Sequence, residues 1–180
     1  MIKNSQRLPL LLLSIISILF FSTCRDNSNH LFTMDYDLEL TIQPGLSPFG
    51  GIHGVVIDDI PSQINAYLAA NGISEDQITK ITSGSARISA LLSGSGYGFI
   101  ERVEIYIANP SDPLERRLAF ERLAVPQNTG QQLELIGSLI DSKGYLIEDL
   151  FDINFEIRLR TNSPELIRTR LQMEFRVHTD

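Results

Sequence analysis

Several residue types are scarce in this chain of 180 residues, and each scarcity argues against a kind of chemistry. The chain has one cysteine and three histidines, and no HxxxH or HExxH spacing occurs. Zinc sites are built from three or four such ligands, so we predict no metal site and no cofactor. Tryptophan is absent, which counts against a glycan-binding site, although tyrosine can also stack on a sugar ring.

Long apolar runs are also scarce, and the one at the N-terminus is too short to cross a membrane. It covers residues 8–21, about 14 residues, whereas a spanning helix needs roughly 20. Lys3 and Arg7 precede it, and no acidic residue occurs before Asp26. A basic start followed by a short apolar run is typical of a secretory signal peptide. We therefore expect residues 1–23 to be cleaved off.

The sole cysteine follows this run directly, in the sequence Phe21-Ser22-Thr23-Cys24. A lone cysteine cannot form an intrachain disulfide. The four residues resemble the lipobox of bacterial lipoproteins, with Phe21 and Thr23 where that family usually has Leu and Gly or Ala. The resemblance covers residues 1–24 only. It implies that the sulfur of Cys24 receives a diacylglycerol and that its new amine is acylated, as by palmitate, which anchors the protein in a membrane.

The residues after Cys24 indicate the membrane and the domain boundary. Arg25 stands where an Asp would retain a lipoprotein in the inner membrane of bacteria with two membranes. We therefore expect an outer-membrane lipoprotein in the cell envelope, facing the periplasm or the cell surface. Residues 24–33 are mostly polar and are predicted to be a flexible tether. Residues 34–180 have the length of a single domain.

The charge balance argues against nucleic acid as a partner. The chain has 22 acidic and 15 basic residues, a net charge of −7. Lys3 and Arg7 leave with the signal peptide, so the mature chain is more acidic still. Nucleic-acid binding requires a basic surface. We expect the lipid to hold the protein at the membrane, and an envelope protein is the candidate partner.

Three alternating runs predict strands. Residues 34–42 place Met34, Leu38 and Ile42 on one face and acidic residues on the other. Period-two alternation with one apolar face is typical of a half-buried strand. Residues 153–160 and 167–177 alternate in the same way, and a short Asn/Pro turn joins them. Two such runs joined by a turn predict an antiparallel hairpin.

One helix is predicted between the first strands. Ile64, Tyr67 and Leu68 lie on one helical face, Asp58-Asp59-Ile60-Pro61 has the residues of a helix start, and Gly72 those of a helix end. The whole pattern predicts a mainly β protein with six to eight antiparallel strands and one or two short helices. We expect an immunoglobulin-like β-sandwich.

The predicted C-terminal hairpin carries a basic stripe in an otherwise acidic chain. Arginine is enriched at protein interfaces, so this outward face is a candidate binding site for an acidic partner. The alternative is a solvated sheet face, balanced by Glu156, Glu174 or carboxylates on a neighbouring strand. The stripe consists of Arg158, Arg160, Arg168, Arg170 and Arg176.

Two acidic groups are weaker candidates. Asp35, Asp37 and Glu39 share a strand face, and Glu148, Asp149 and Asp152 cluster before a later strand. Calcium takes several oxygen ligands, but neither group has EF-hand spacing, so solvated acidic surface is the preferred interpretation.

Three functions follow, in order of preference. The first is a non-enzymatic envelope lipoprotein that binds a protein or has a structural role. The second is a glycan or small-ligand module, which a pocket lined by Tyr97, Tyr106 and Tyr145 would favour. The third is a hydrolase, which two carboxylates about 5–10 Å apart in a cleft would favour. No nucleophile and base can be named, so we expect no enzyme and no catalytic residues.

Overall fold

The computed structural model describes residues 29–179, so the predicted signal peptide and Cys24 lie outside the described part. Eight antiparallel strands and two short helices occur in this range, and neither helix is long or apolar enough to span a membrane. The strands are β1 (Asn29–Ile42), β2 (Ile52–Pro61), β3 (Lys80–Ala90), β4 (Ile100–Asn109), β5 (Asp112–Arg122), β6 (Gln132–Gly137), β7 (Leu150–Leu159) and β8 (Ile167–Thr179). The helices are α1 (Ile64–Asn71) and α2 (Lys143–Leu146).

All eight strands belong to one sheet, in the order β1-β8-β3-β6-β5-β4-β7-β2. The sheet curls so that its two halves pack face to face. The β5–β6 junction has only two residue pairs. Across the interior, the Phe120 ring of β5 lies 5.3 Å from that of Phe175 on β8, and the Tyr36 ring of β1 lies 5.1 Å from that of Phe151 on β7. The prediction of a mainly β, antiparallel sandwich is confirmed.

The alternating runs place their apolar residues in the core between the halves. On β1, Met34 and Ile42 are buried, and on β8 Leu171, Phe175 and Val177 are buried. The intervening charged residues lie on the outer faces. The faces of both strands agree with the sequence pattern, because each apolar side chain leaves water when the halves close on one another.

The predicted hairpin is wrong, because β7 and β8 do not pair with each other. β7 lies between β2 and β4, whereas β8 lies between β1 and β3. The connection between them crosses from one half of the sheet to the other. Ser163 in this connection is buried, and its hydroxyl donates to the carbonyl of Gln43 (2.6 Å) and accepts from the amide of Leu46 (3.0 Å). These bonds hold the connection against the loop after β1.

The strand β1 begins earlier than predicted. Residues 29–33, which the sequence assigned to the flexible tether, pair with the end of β8. Phe32 is buried and its ring stacks on that of Tyr67 in α1, with 5.8 Å between centroids. The burial of this aromatic ring extends the folded domain toward the N-terminus.

The helix α1 is confirmed, but its predicted start is wrong. Asp58 and Asp59 belong to β2, at a bulge where Asp59 has a positive φ of 55° and its amide donates to Asp152 (2.9 Å). The helix begins at Ile64 and ends at Asn71, and Gly72 caps it with a φ of 67° that suits glycine. Aspartate tolerates the left-handed region better than most residues, which explains its place in the bulge.

Candidate functional site

The five arginines of the predicted stripe do not form one surface. Arg158 lies in β7 and Arg160 directly follows it, whereas the other three lie on β8, in the opposite half of the sheet. Their separation follows directly from the crossing connection. Each group therefore has its own neighbours.

The β8 arginines form ion pairs within the chain. Arg168 bonds to Glu39 (2.8 Å), and Arg170 lies 3.4 Å from Asp37, so the acidic face of β1 balances them. Arg176 bonds to Glu174 (2.9 Å) on the same strand. These side chains are about half exposed, and exposed pairs contribute at most about 1 kcal/mol each. The arrangement fits a solvated charged face.

The β7 arginines have different surroundings. The guanidinium of Arg160 donates to three backbone carbonyls, those of Gly98 (2.7 Å), Ile100 (3.2 Å) and Val125 (2.8 Å). It therefore ties together two loops and the start of β4. Arg158 is exposed, opposite Ile52 of β2.

A depression of about 390 Å³ lies on the outer face of the half that contains β1. Four carboxylates line it, and three of them form salt bridges: Asp37 with Arg170, Glu134 with Arg87, and Glu174 with Arg176. Glycoside hydrolysis needs one carboxyl group that delivers a proton to the leaving group. Carboxylates engaged by guanidinium groups are poorly arranged for that role. The fourth carboxylate is that of Asp35, on the exposed strand face.

The second acidic group is used for structure. Asp152 accepts the amide of Asp59, and the Asp149 carboxylate lies 3.5 Å from the side-chain amide of Asn65. Within residues 29–179, no group of three or more His, Cys, Asp or Glu side chains is arranged to hold a metal ion.

The three tyrosines named as glycan-stacking candidates do not line a common pocket. Tyr97 is fully buried, its hydroxyl bonds to Thr169 (3.0 Å), and its burial raises its pKa to about 12. Tyr106 lies under the guanidinium of Arg116, whose central carbon is 4.3 Å from the ring centroid. Tyr145 lines a separate pocket of about 360 Å³ with its mostly buried ring. This arrangement offers no aromatic platform for a sugar.

A different feature, the free edge of β2, was missed by the sequence analysis. β2 pairs with β7 on one side, and no strand within residues 29–179 pairs with its other side. Residues 52–57 carry no charged side chain and no proline. On the outer face, Ile52 is 53% exposed and Val56 is 54% exposed, with Gly54 between them. The strand therefore combines unpaired backbone groups with exposed apolar side chains.

The opposite edge of the sheet, β1, is protected. It carries the acidic residues of its outer face, and α1 packs against its first half. The Tyr67 hydroxyl accepts the amide of Asp35 (3.2 Å), and the Tyr36 hydroxyl donates to the carbonyl of Ser62 (2.6 Å). Charges and covering elements are the usual protections of an edge strand. β2 carries no charged side chain over residues 52–57, and the loop after β1 contacts it at His53.

A groove of about 280 Å³ separates the two edges at the β2 start. Its walls include Ile42, Leu46 and Val55, with Phe155 and Ile157 of β7 at its base. The His53 ring is held here by a bond to the carbonyl of Ser47 (2.8 Å). Phe49, in the adjoining turn, is 98% exposed. This turn and the following strand residues, 49–57, carry exposed apolar side chains and are called here the β2 edge.

The comparisons with known proteins add little to this picture. No family model matches the chain, and no curated protein matches it. A structure of Desmodium yellow mottle tymovirus is similar over 82% of this chain and 87% of that chain, with 10% identity and a TM-score of 0.24. A structure of the infectious bursal disease virus Gx strain covers 84% of this chain and 43% of that chain, with 11% identity and a TM-score of 0.21. At these TM-scores the likenesses carry no argument about this chain.

Proposed function

We propose that this protein is a non-enzymatic, lipid-anchored module of the bacterial envelope that binds a protein partner through the β2 edge. The anchor rests on the lipobox-like sequence that ends at Cys24. The binding role rests on one observation: β2 is an edge strand with unpaired backbone groups, no charge over residues 52–57, and exposed apolar side chains.

The physical argument concerns what an open edge does in water. Unpaired N–H and C=O groups along an edge form a template for another strand, and native proteins usually block such edges with charge, proline or a covering element. An added strand gains backbone hydrogen bonds, while alternate side chains give specificity. Ile52 and Val56 are two such alternate positions on the same face. Their exposure supports binding of an extended segment there.

A photo-crosslinking residue at Val56, introduced into the full-length protein in living cells, tests this proposal. We expect a discrete adduct after irradiation. Leu139 serves as the matched control, because it is 79% exposed but lies in the loop between β6 and α2. An adduct at neither position, or equal adducts at both, would contradict binding at the β2 edge.

A further inference from the structure

We infer that the partner at the β2 edge is a second copy of this chain, paired antiparallel through β2 about a two-fold axis at Gly54. This inference rests on the proposed function, since it takes the β2 edge as the binding surface. The pairing would join the two curled sheets through their exposed edge strands.

The side chains of β2 are self-complementary in this register. With Gly54 opposite Gly54 of the second copy, Ile52 lies opposite Val56 of the second copy, and the same pair recurs on the other side of the axis. Directly opposed residues lie on the same face of a sheet, with Cβ atoms about 4.5–5.5 Å apart. The two most exposed apolar residues of the strand, 53% and 54% exposed, would therefore cover each other twice.

Gly54 is suited to a position on the axis. A Cβ built at Gly54 would meet nothing closer than the carbonyl oxygen of Phe155, at 4.0 Å. The space beside Gly54 is therefore open on the outer face, and two opposed glycines bring no side chains into conflict. His53 and Val55 face each other across the copies on the inner side of the sheet.

The charges around β2 favour the antiparallel over the parallel arrangement. A parallel pair in register would place Asp58 and Asp59 beside the same residues of the second copy, and like charges directly opposed are unfavourable. In the antiparallel register the paired segment is residues 52–56 of each copy, so Asp58 and Asp59 lie beyond its end and away from the same residues of the second copy.

The next charges are far enough away to be screened. Glu156 of β7 is opposite Gly54, so the two copies of Glu156 stand three strand spacings apart, about 14 Å at roughly 4.8 Å each. This distance exceeds the Debye length of about 8 Å at physiological ionic strength. The neutral β2 edge therefore lets two acidic molecules approach each other.

A cysteine on the proposed axis gives a direct test in intact membranes. The Cα atoms of opposed residues are about 4.5–5.5 Å apart in an antiparallel pair, within the range that a disulfide spans. We expect Gly54→Cys to give a covalent dimer on a non-reducing gel. Leu139→Cys controls for disulfides that form by chance collision of two copies. The unsubstituted protein controls for disulfides formed by Cys24. A Gly54→Cys dimer no stronger than that of Leu139→Cys would overturn the register.

Charge substitutions test the register without a new covalent bond. We expect the full-length protein, in density-matched detergent, to sediment as a dimer at about 100 µM, well above a micromolar Kd. Val56→Lys should sediment as a monomer, since it places an ammonium opposite Ile52 of the second copy. Adding Ile52→Glu should restore the dimer, because each introduced carboxylate then meets the introduced ammonium of the other copy. Both variants must keep the native thermal transition. A monomeric unsubstituted protein would overturn the inference.

The photo-crosslinking experiment at Val56 separates the two proposals. An adduct of twice the monomer mass supports the second copy. An adduct of another mass, together with monomeric sedimentation, overturns pairing between copies and leaves the proposed function in place with a different partner. No adduct and monomeric sedimentation overturn both.

Discussion

At the scale of single residues, Arg160 directly follows β7 and Arg168 is the second residue of β8. Their guanidinium groups have different surroundings. We expect Arg160→Ala to lower the free energy of unfolding by about 1.5–3 kcal/mol, because three carbonyls lose a charged donor. Arg168→Ala, which loses only an exposed pair with Glu39, should cost less than about 1 kcal/mol. Urea unfolding of both variants checks this, and equal costs would contradict it.

The histidine at the end of β8 predicts a pH dependence. His178 bonds to Thr82, and its ring lies 6.2 Å from that of His30. Partial burial, reinforced by the charges of His30, Lys80 and Arg176 against the opposite effect of Asp141, lowers the pKa of His178. The folded state therefore binds this proton less readily than the unfolded state.

The direction of the resulting stability change follows from linkage. The stability that the neutral His178 contributes is fully present above its unfolded pKa of about 6.5, and it is lost as the pH falls through this value. We expect the free energy of unfolding to decline between about pH 7.5 and pH 5.5. The decline should be smaller in His178→Gln, whose side chain can still bond to Thr82. Identical pH profiles for the two proteins would contradict the prediction.

At the scale of elements, β8 is an inner strand of its half, and its alternation is the strongest structural signal in the sequence. Phe175 is fully buried against Tyr36 and Phe120, so Phe175→Ala should cost about 3–5 kcal/mol. The next residue, Arg176, is exposed, and Arg176→Ala should cost less than about 1 kcal/mol. Chemical denaturation measures both, and similar costs would mean that the strand faces are wrong.

The same strands show what alternation predicts and what it does not. Period two determines which side chains of β7 and β8 face the core, and those faces were predicted correctly. It carries no information about neighbouring strands, so the short connection suggested a hairpin. The decisive feature is the buried hydroxyl of Ser163. It bonds to Leu46, which is 117 positions away in the sequence, and to Gln43, which is 120 positions away. Ordinary Asn/Pro turn chemistry gives no sign of such long-range bonds.

At the scale of the whole molecule, the candidate sites depend on sheet order, which explains why sequence analysis missed the main one. The composition of residues 52–57 is visible in the sequence, but a strand is an edge only in relation to every other strand. The adjoining Asp58 and Pro61 also suggested a helix start and hid the length of β2. Likewise, Glu39 and Arg168 pair across 129 residues. The acidic partners of the β8 arginines could therefore be identified only once the neighbouring strands were known.

The proposed anchor and the sandwich are close along the chain. β1 begins at Asn29, five positions after Cys24, and five residues span at most about 18 Å. Lipid on Cys24 would therefore hold the start of β1 and the end of β8 near the membrane. It would also confine copies to one surface and raise their effective concentration at the β2 edge.

A Cys24→Ser variant separates anchoring from pairing. We expect Cys24→Ser to lose labelled palmitate and to move from the membrane to the aqueous fraction, because the acyl chains supply the membrane affinity. Its free energy of unfolding should stay unchanged, since the core side chains of β1 to β8 are all retained. In the Gly54→Cys background, Cys24→Ser should form the disulfide dimer more slowly at equal expression, because the copies are no longer confined. Palmitate that persists in Cys24→Ser would refute the anchor, whereas an unchanged dimerisation rate would mean that pairing does not depend on it.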